Sequence, residues 1–157
     1  MRQQIEQLLQ RPDFSEGEAW RVRRFPANTE IVHQGDNSKH VYWIRRGTVR
    51  VLGQVPVDEA RQVRPGVCDL QAGEVFGELA LFDDQPRSAT VMAVNDCELV
   101  EIDGEALLAY LERHPALGFA FLRQMMTVMV QRLRASDRQI FSLLAWGMRA
   151  HGIDRHL

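Results

Sequence analysis

Between residues 20 and 103, short β-prone stretches alternate with turn-forming residues at intervals too close for helices. Gly, Pro, Asn or Asp stands in the gaps, as at Pro26, Gly35 and Gly47. Strands this short, joined by this many turns, pair antiparallel, so the pattern predicts a β-roll of the jelly-roll type. The β-prone stretches are residues 20–25, 30–33, 40–46, 49–55, 61–67, 74–76, 89–94 and 99–102.

Helical patterns flank the β-prone region on both sides. Ile5 and Leu8 share one face of a short helix near the start, and we expect a second short helix over residues 14–20. Asp103 is a suitable N-cap, and Pro115 suits the first turn of a long helix. The sequence therefore predicts an α+β fold in one domain, residues 1–157. Its parts are N-terminal helices in 1–20, the roll in 21–103 and C-terminal helices in 104–157.

The long helix carries apolar side chains on two faces. One face forms a seam with alternating steps of four and three, and the other holds Phe121, Met125 and Val128. A helix that is apolar on two sides must bury both, so we expect one face to pack on the roll. The other face then meets a second copy in a homodimer or a returning helix, or else the N-terminal helices cover both faces within a monomer. The seam consists of Leu122, Met126, Met129, Leu133, Ser136, Ile140 and Leu143, six of which are apolar.

The charge distribution argues against a DNA-binding face. The chain has 19 basic and 21 acidic side chains, and residues 51–110 carry twelve acidic residues but three arginines. Binding to duplex DNA requires a basic stripe that releases counterions, so we expect no DNA binding by this chain. No apolar run approaches the roughly 20 residues of a membrane helix, and the start lacks the apolar centre of a signal peptide. We therefore expect a cytoplasmic protein that does not contact a membrane.

The sequence contains no recognisable catalytic or metal-binding pattern. The histidines form no HxH or HExxH pair, and Cys68 and Cys97 have neither CxxC spacing nor a histidine at usable distance. A nucleophile elbow and a Walker loop are also lacking. We accordingly predict no metal, no catalytic residues and no enzymatic activity.

The segment 76–91 combines the residue types that bind a phosphate. A helical turn that opens at Gly77 would present the backbone N–H groups of Leu79 and Ala80 to one point, and glycine allows an anion to approach closely. Arg87 can return to that point with a bidentate guanidinium, and Ser88 adds a hydroxyl donor. The segment therefore predicts an anion site.

Glu78 indicates which anion the segment binds. An ionised carboxylate only accepts hydrogen bonds, so Glu78 cannot contribute to phosphate binding. It can accept a hydrogen bond from a ribose hydroxyl. Anion donors beside a carboxylate thus predict a sugar phosphate as the ligand.

The segment 76–91 resembles the phosphate-binding cassette of cyclic-nucleotide-binding domains, because it reads FGELAL and then PRSATV. This family includes regulators of the catabolite activator type, kinase regulatory subunits and cyclic-nucleotide-gated channels. The resemblance implies that Glu78 binds the ribose 2′-hydroxyl, and that Arg87 and Ser88 bind the cyclic phosphate. It also implies that the N–H groups of Leu79 and Ala80 complete the pocket. The other expected contact residues are Phe76, Gly77 and Ala89.

The long helix is expected to supply a lid over the base. Counted from Pro115, the position from which the resembling bacterial regulators reach the adenine is Arg132. Its planar guanidinium can stack on a purine, or it can be a solvated surface side chain. Ser88 favours cAMP over the alternative, cGMP, because the resembling bacterial receptors read Arg-Ser-Ala here.

The expected function is therefore a cAMP sensor whose ligand repositions the C-terminal helix to regulate an unidentified effector protein. One alternative is a transcription regulator of the catabolite activator type. Only residues 137–157 follow the lid region, too few for the three helices of its DNA-binding domain, so we expect a stand-alone domain. The other alternative is a dimerisation scaffold with an empty pocket.

Overall fold

The closely spaced turn residues yield short strands that pair antiparallel into two sheets. The computed structural model describes residues 1–53, 55–58, 61–63 and 66–150, with the backbone alone for 55–58 and 61–63. Two compact units are present: Met1–Gly118, and a second unit that begins at Phe119. The assignment of residues 1–157 to one domain stays a prediction, and its last residues, 151–157, lie outside the described ranges.

The first unit contains the roll. One sheet has the strand order β1-β10-β3-β8, the other has the order β2-β9-β4-β7, and β5 and β6 form a separate pair. The strands are β1 Trp20–Phe25, β2 Glu30–Val32, β3 Val41–Arg46, β4 Thr48–Leu52, β5 Val55–Asp58, β6 Arg61–Val63, β7 Gly66–Gln71, β8 Val75–Phe76, β9 Thr90–Ala93 and β10 Cys97–Ile102. The antiparallel roll predicted from the sequence is confirmed.

The core of the roll collects one face of each strand. On β3, Tyr42 and Ile44 belong to this core, while Val41 and Trp43, which alternate with them, are buried as well. Because successive side chains of a strand point to opposite faces, the sheet at β3 is covered on both faces. The core residues are Phe25, Val32, Tyr42, Ile44, Val49, Leu70, Phe76, Val91, Ala93, Cys97 and Leu99.

Helices begin and end the described chain. They are α1 Arg2–Leu9, α2 Gly104–Arg113 and α3 Pro115–Ala150. The predicted N-cap is confirmed, because the Oδ1 of Asp103 accepts from the N–H of Ala106 at 2.8 Å. Pro115 begins α3 as predicted, since its fixed φ suits a first turn and the N–H it lacks would be unpaired there.

The second N-terminal helix expected over residues 14–20 is wrong. Gly17 has a φ of 91°, which a helix cannot accommodate, and its N–H donates to the carbonyl of Trp20 at 2.8 Å. Trp20 instead begins β1, where it pairs with Ile102. The stretch 49–55 is also shorter than expected, since β4 ends at Leu52 and β5 begins at Val55. Tertiary pairing therefore overrides the local helical pattern at residues 14–20.

The turn at Gly47 generates a stability prediction. Gly47 joins β3 to β4 with a φ of 97°, and a Cβ there would lie 2.6 Å from the Sγ of Cys97. Gly35 has a similar φ of 95° but open space around it. We expect Gly47→Ala to lower the free energy of unfolding by on the order of 3 kcal/mol, and Gly35→Ala by about 1 kcal/mol, because only the first adds a clash to the strain. Urea unfolding of both variants measures the difference, and equal losses would contradict it.

Candidate functional site

The site is built around a left-handed turn at Gly77, between β8 and a 3₁₀ turn that spans Glu78–Leu81. Gly77 has a φ of 77°, and a Cβ there would lie 2.8 Å from the Nη1 of Arg87 and 3.0 Å from the carbonyl of His40. Both the conformation and the space therefore require glycine. The predicted helical turn at Gly77 is confirmed, in the tighter 3₁₀ form.

Arg87 enters the turn from the loop that precedes β9. Its Nη1 donates to the carbonyl of Gly77 at 2.9 Å, and its Nη2 donates to the carbonyl of His40 at 2.5 Å and to the Oγ of Ser38 at 3.3 Å. The backbone is fixed too, because the N–H of Arg87 donates to the carbonyl of Asp36 at 2.8 Å. The position of the guanidinium thus depends on three separate segments of the chain.

The Arg87 guanidinium is buried, and its Nε–H is available to a further acceptor. The residue is 7% exposed. Within the described part of the chain, its Nε is buried and has no hydrogen-bond partner. Burial lowers the pKa of Arg87, against the raising effects of Tyr42, Asp36 and Glu78. A buried cation with an unused N–H has a strong preference for an anionic acceptor.

Glu78 is the second buried charged group of the site. It begins the 3₁₀ turn and is 5% exposed. Its negative charge acts on the guanidinium of Arg87, so the two side chains are electrostatically coupled. A buried carboxylate beside a buried cation is costly unless hydrogen bonds satisfy both, which makes a surface salt bridge an inadequate description of the pair.

The other predicted contact residues lie along the same segment of the first unit. Phe76 is buried and stacks on Tyr42 with ring centroids 4.9 Å apart, while Leu79 and Ser88 are exposed. Ala80 and Ala89 are half-buried. The structure therefore brings the predicted cassette residues together around the 3₁₀ turn at Glu78–Leu81.

Arg132 lies elsewhere in the chain, on α3 in the second unit. It is half-buried there. Its contact with a base stays a prediction.

Two residues of the site are missing from the sequence-based prediction. Ser38 and His40 both bind the Arg87 guanidinium, yet they stand in a polar stretch between β2 and β3 with no motif of their own. The sequence offers one weak signal, the turn at Gly35 and Asp36, whose backbone forms hydrogen bonds with the backbone of Arg87. Only the folded roll shows that the contact exists.

The described ranges contain no group of three or more His, Cys, Asp or Glu side chains that could hold a metal ion. No helix in the described part of the chain has the length and apolar character needed to cross a membrane.

Comparison with known proteins decides the family. The model of the cyclic nucleotide-binding domain matches residues 22–114, which contain the whole roll apart from its first residues and the complete cassette. The chain belongs to the cyclic nucleotide-binding domain family. The resemblance noted in the sequence is thereby confirmed.

The relatives include bacterial regulators and a solved domain. The chain is 28% identical over 123 residues to the cAMP-activated global transcriptional regulator CRP of Salmonella typhimurium, covering 78% of this chain and 55% of that protein. It is 30% identical over 118 residues to the cyclic AMP receptor protein of Thermus thermophilus, covering 75% and 51%. The chain thus spans about half the length of these curated relatives.

A solved structure supports the same fold. It is a cyclic nucleotide-binding domain from Methylobacillus flagellatus with a TM-score of 0.71 and 24% identity, covering 78% of this chain and 67% of that one. At this identity the likeness concerns the fold, and the predicted α+β β-roll with its helices agrees with it.

Gly77 generates a prediction about this family site. Gly77→Ala places a methyl group against the guanidinium of Arg87, so we expect a shifted ¹⁵Nε resonance of Arg87 and weaker binding of cyclic nucleotide. Gly73→Ala is the matched control, because Gly73 has a φ of 94° and its nearest neighbour to an added Cβ is Arg2 at 3.7 Å. Side-chain NMR of both variants measures the effect. An unchanged Arg87 resonance in Gly77→Ala would show that the close approach has no influence on the site.

Proposed function

We propose that this chain is a cyclic-nucleotide sensor that binds its ligand, cAMP in preference to cGMP, at the cassette of residues 76–91. The observation that carries the proposal is the buried guanidinium of Arg87, which has an unpartnered Nε beside the buried carboxylate of Glu78. A pocket with one desolvated cation and one desolvated acceptor matches a ligand with one anionic group and one adjacent hydroxyl.

The cyclic phosphate would be bound at the arginine end of the pocket. The Nε of Arg87 is available for a phosphate oxygen, and its Nη2 becomes available if the contact with Ser38, 3.3 Å long, is exchanged for the ligand. The N–H groups of Leu79 and Ala80 and the hydroxyl of Ser88 would complete the set of donors, with Phe76, Gly77 and Ala89 as the apolar surroundings. Charge-assisted hydrogen bonds of this kind are about twice as strong as neutral ones.

The ribose would be bound at the carboxylate of Glu78. A buried carboxylate can accept a hydrogen bond from the 2′-hydroxyl and cannot attract the phosphate itself. The pocket therefore selects a ribonucleotide whose phosphate and 2′-hydroxyl lie on the same side of the sugar. This orientation places the base away from the cassette, where Arg132 of α3 is the proposed lid.

The preference for cAMP is supported by two observations. The curated relatives carry names that refer to cAMP or cyclic AMP. In addition, Ser88 follows Arg87 directly, the pattern described above for bacterial cAMP receptors. The ligand acts as a signal in this proposal and is not a substrate.

The output of the sensor is a change in the position of α3. The ligand binds more tightly when the helix closes over the base, so it shifts the population towards the closed arrangement. An effector protein then binds one arrangement in preference to the other. We place this protein in the cytoplasm, without a membrane partner.

A regulator of the catabolite activator type is the second candidate, because the curated relatives are transcriptional regulators. The twelve acidic residues and three arginines of residues 51–110 oppose DNA binding by this region itself. A salt-dependent mobility shift of duplex DNA by this chain would favour that candidate. Partner binding that is unaffected by Arg87→Ala would instead favour a scaffold with an empty pocket.

Calorimetric titration of nucleotide-stripped protein with cAMP and cGMP tests the proposed function. Arg87→Ala removes two charge-assisted hydrogen bonds, so we expect a loss of about 3 kcal/mol, or roughly a hundredfold in affinity. Arg50→Ala is the matched control, because Arg50 is exposed and pairs with Asp69 on the surface. Absence of heat with either nucleotide would refute the proposal.

The same titration separates the roles of the other residues. Glu78→Gln is expected to cost less than Arg87→Ala and to reduce discrimination against 2′-deoxy cAMP. Arg132→Ala is expected to weaken cAMP binding by roughly fivefold to thirtyfold through lost stacking, while the contribution of Arg87 stays intact. Equal affinity of the wild type for cAMP and its 2′-deoxy analogue would contradict the role of Glu78.

The seam on α3 supports a parallel homodimer as part of the proposal. Leu122, Met126, Leu133, Ile140 and Leu143 are all exposed, and Leu133 reaches 63%. The sixth apolar residue of the seam, Met129, is half-buried. Exposed apolar side chains at heptad spacing are typical of a helix that packs on a second helix.

The dimer proposal has a direct test. Leu133→Glu would place a charge from each protomer in the apolar seam, so we expect a folded monomer with about half the mass of the wild type. Gln131→Glu adds the same charge two residues away at an exposed polar position and should leave the dimer intact. Light scattering at micromolar concentration measures both. A monomeric wild type, with and without cAMP, would overturn the dimer.

A further inference from the structure

The exposed apolar side chains in the first turns of α3 lie along one narrow line. At about 100° per residue, the large exposed apolar residues between 119 and 133 fall within an arc of roughly 80°. An arc of this width is what one partner helix covers in a two-stranded coiled coil. These residues are Phe119, Leu122, Met126, Val130 and Leu133.

The last turns of α3 are exposed and apolar over a much wider arc. Six large apolar side chains between residues 140 and 148 are exposed, and they span roughly 220° around the helix axis. Ile140 and Leu143 continue the seam. Phe141, Leu144 and Met148 follow one another at steps of three and four and form a second line, the distal stripe.

A parallel dimer through the seam leaves the distal stripe open. In the heptad that the seam defines, Ile140 and Leu143 occupy positions a and d, which insert into the partner helix. Phe141 and Met148 occupy position b, on the outside of such a pair, and Leu144 occupies the flanking position e. Burial of the seam therefore does not bury the distal stripe.

The same dimer forms a groove along each side of the helix pair. Position e of one helix and position g of the other lie on the same side of a parallel coiled coil. Leu144 of one protomer is therefore on the side that holds the partner subunit's Trp146, because Trp146 occupies position g. Trp146 is 70% exposed on the helix itself. Each groove thus has the distal stripe as one wall and an indole on the other.

Arginines border the distal stripe. At about 100° per residue, Arg134, Arg138 and Arg149 lie on the side of the stripe that faces away from the seam. All three are exposed. Residues 131–150 carry four arginines and one acidic residue, Asp137. The groove therefore combines an apolar wall with a basic border.

The basic border selects among the possible occupants of the groove. A third copy of the chain would bring the arginines of two stripes together, and like charges at close range oppose association. A helix that lies on a lipid surface uses a broad apolar face, whereas the distal stripe spans about 60° once the seam is buried. A narrow apolar line beside basic side chains is complementary to an amphipathic helix with acidic flanks.

We propose that the distal stripe, the partner subunit's Trp146 and the arginine border form a docking groove for an acidic amphipathic helix of the effector protein. The inference rests on the proposed function, because it names the chemical class of the partner that the sensor regulates. Apolar anchors of the bound helix would fill the groove and supply most of the affinity. The arginines would determine the orientation of the helix and increase its rate of association.

A designed peptide tests the groove on the full chain. The probe is a labelled helical peptide of about 18 residues, with leucine at heptad positions a and d and glutamate at e and g, where like charges keep it from pairing with itself. We expect fluorescence anisotropy to show binding that weakens as salt increases. The control peptide has lysine in place of each glutamate and should bind at least about tenfold more weakly. Equal binding of the two peptides, or binding of neither, would overturn the proposal.

Paired variants locate the binding surface. Phe141→Gln removes an apolar side chain from the distal stripe outside the seam, so we expect a dimer that binds the acidic peptide roughly tenfold more weakly. Phe119→Gln is the matched control, because Phe119 is equally exposed near the other end of α3. Arg138→Gln should reduce the salt dependence, whereas Arg123→Gln changes an exposed arginine outside the border and should not. Wild-type affinity of Phe141→Gln for the peptide would contradict the assignment of the groove.

Two further arms separate this inference from the proposed function and from a lipid partner. Peptide binding by a chain that does not bind cAMP would support the groove and refute the proposed sensor. Binding of cAMP without binding of the peptide would refute the groove alone. Sedimentation with phosphatidylserine vesicles is the last arm: vesicle binding that Phe141→Gln abolishes, without binding of the acidic peptide, would assign the distal stripe to a lipid surface and overturn the proposal.

Discussion

The structure of the site depends on one interaction, the burial of the Arg87 guanidinium against the backbone carbonyls of Gly77 and His40. A buried cation is tolerable only when hydrogen bonds replace its water, and Gly77 and His40 supply them. The carbonyl of Asp36 holds the backbone at the same place. Any change that moves one of these segments therefore alters the cation that defines the pocket, which is why glycine is required at position 77.

Acidic and basic residues that stand in different parts of the sequence lie next to one another in the folded sheet. Some acidic residues of the segment 51–110 are paired with arginines from elsewhere in the chain, because antiparallel pairing places arginines of β1 opposite acidic residues of β10. Arg24 pairs with Glu98, and Arg21 and Arg23 pair with Glu101. The exposed pair of Arg24 and Glu98 contributes little to the stability of the fold. The ion pairs of Glu101 contribute more to stability, since its buried carboxylate would otherwise be an unpaired charge in a low-dielectric environment.

The parts of the fold that follow from local chemistry could be predicted from the sequence. The strands, the cap at Asp103, the start of α3 at Pro115 and the turn at Gly77 all depend on neighbouring residues, and the structure contains each of them. The cassette was predictable for the same reason, because Glu78 and Arg87 stand in one continuous segment.

The remaining features depend on contacts that are distant in sequence. The helix expected over residues 14–20 gives way to turns that end at β1, because Trp20 pairs with Ile102, which is distant in the sequence. Ser38 and His40 carry no local signal, and their contact with Arg87 arises only when β3 lies next to the cassette. Hydrophobic periodicity predicts which residues are buried, but it does not predict which polar groups meet.

The pairing of β1 with β10 also determines how the roll can form. Trp20 and Ile102 stand at opposite ends of the roll in the sequence, so their pairing closes a loop that contains all the other strands. Closing so long a loop costs entropy before any contact compensates for it, and folds with this topology fold slowly for that reason. During synthesis on the ribosome, β1 therefore lacks its partner strand until β10 has left the ribosome. The arginines at positions 21, 23 and 24 give the unpaired strand β1 a positive charge, which discourages its pairing with other chains.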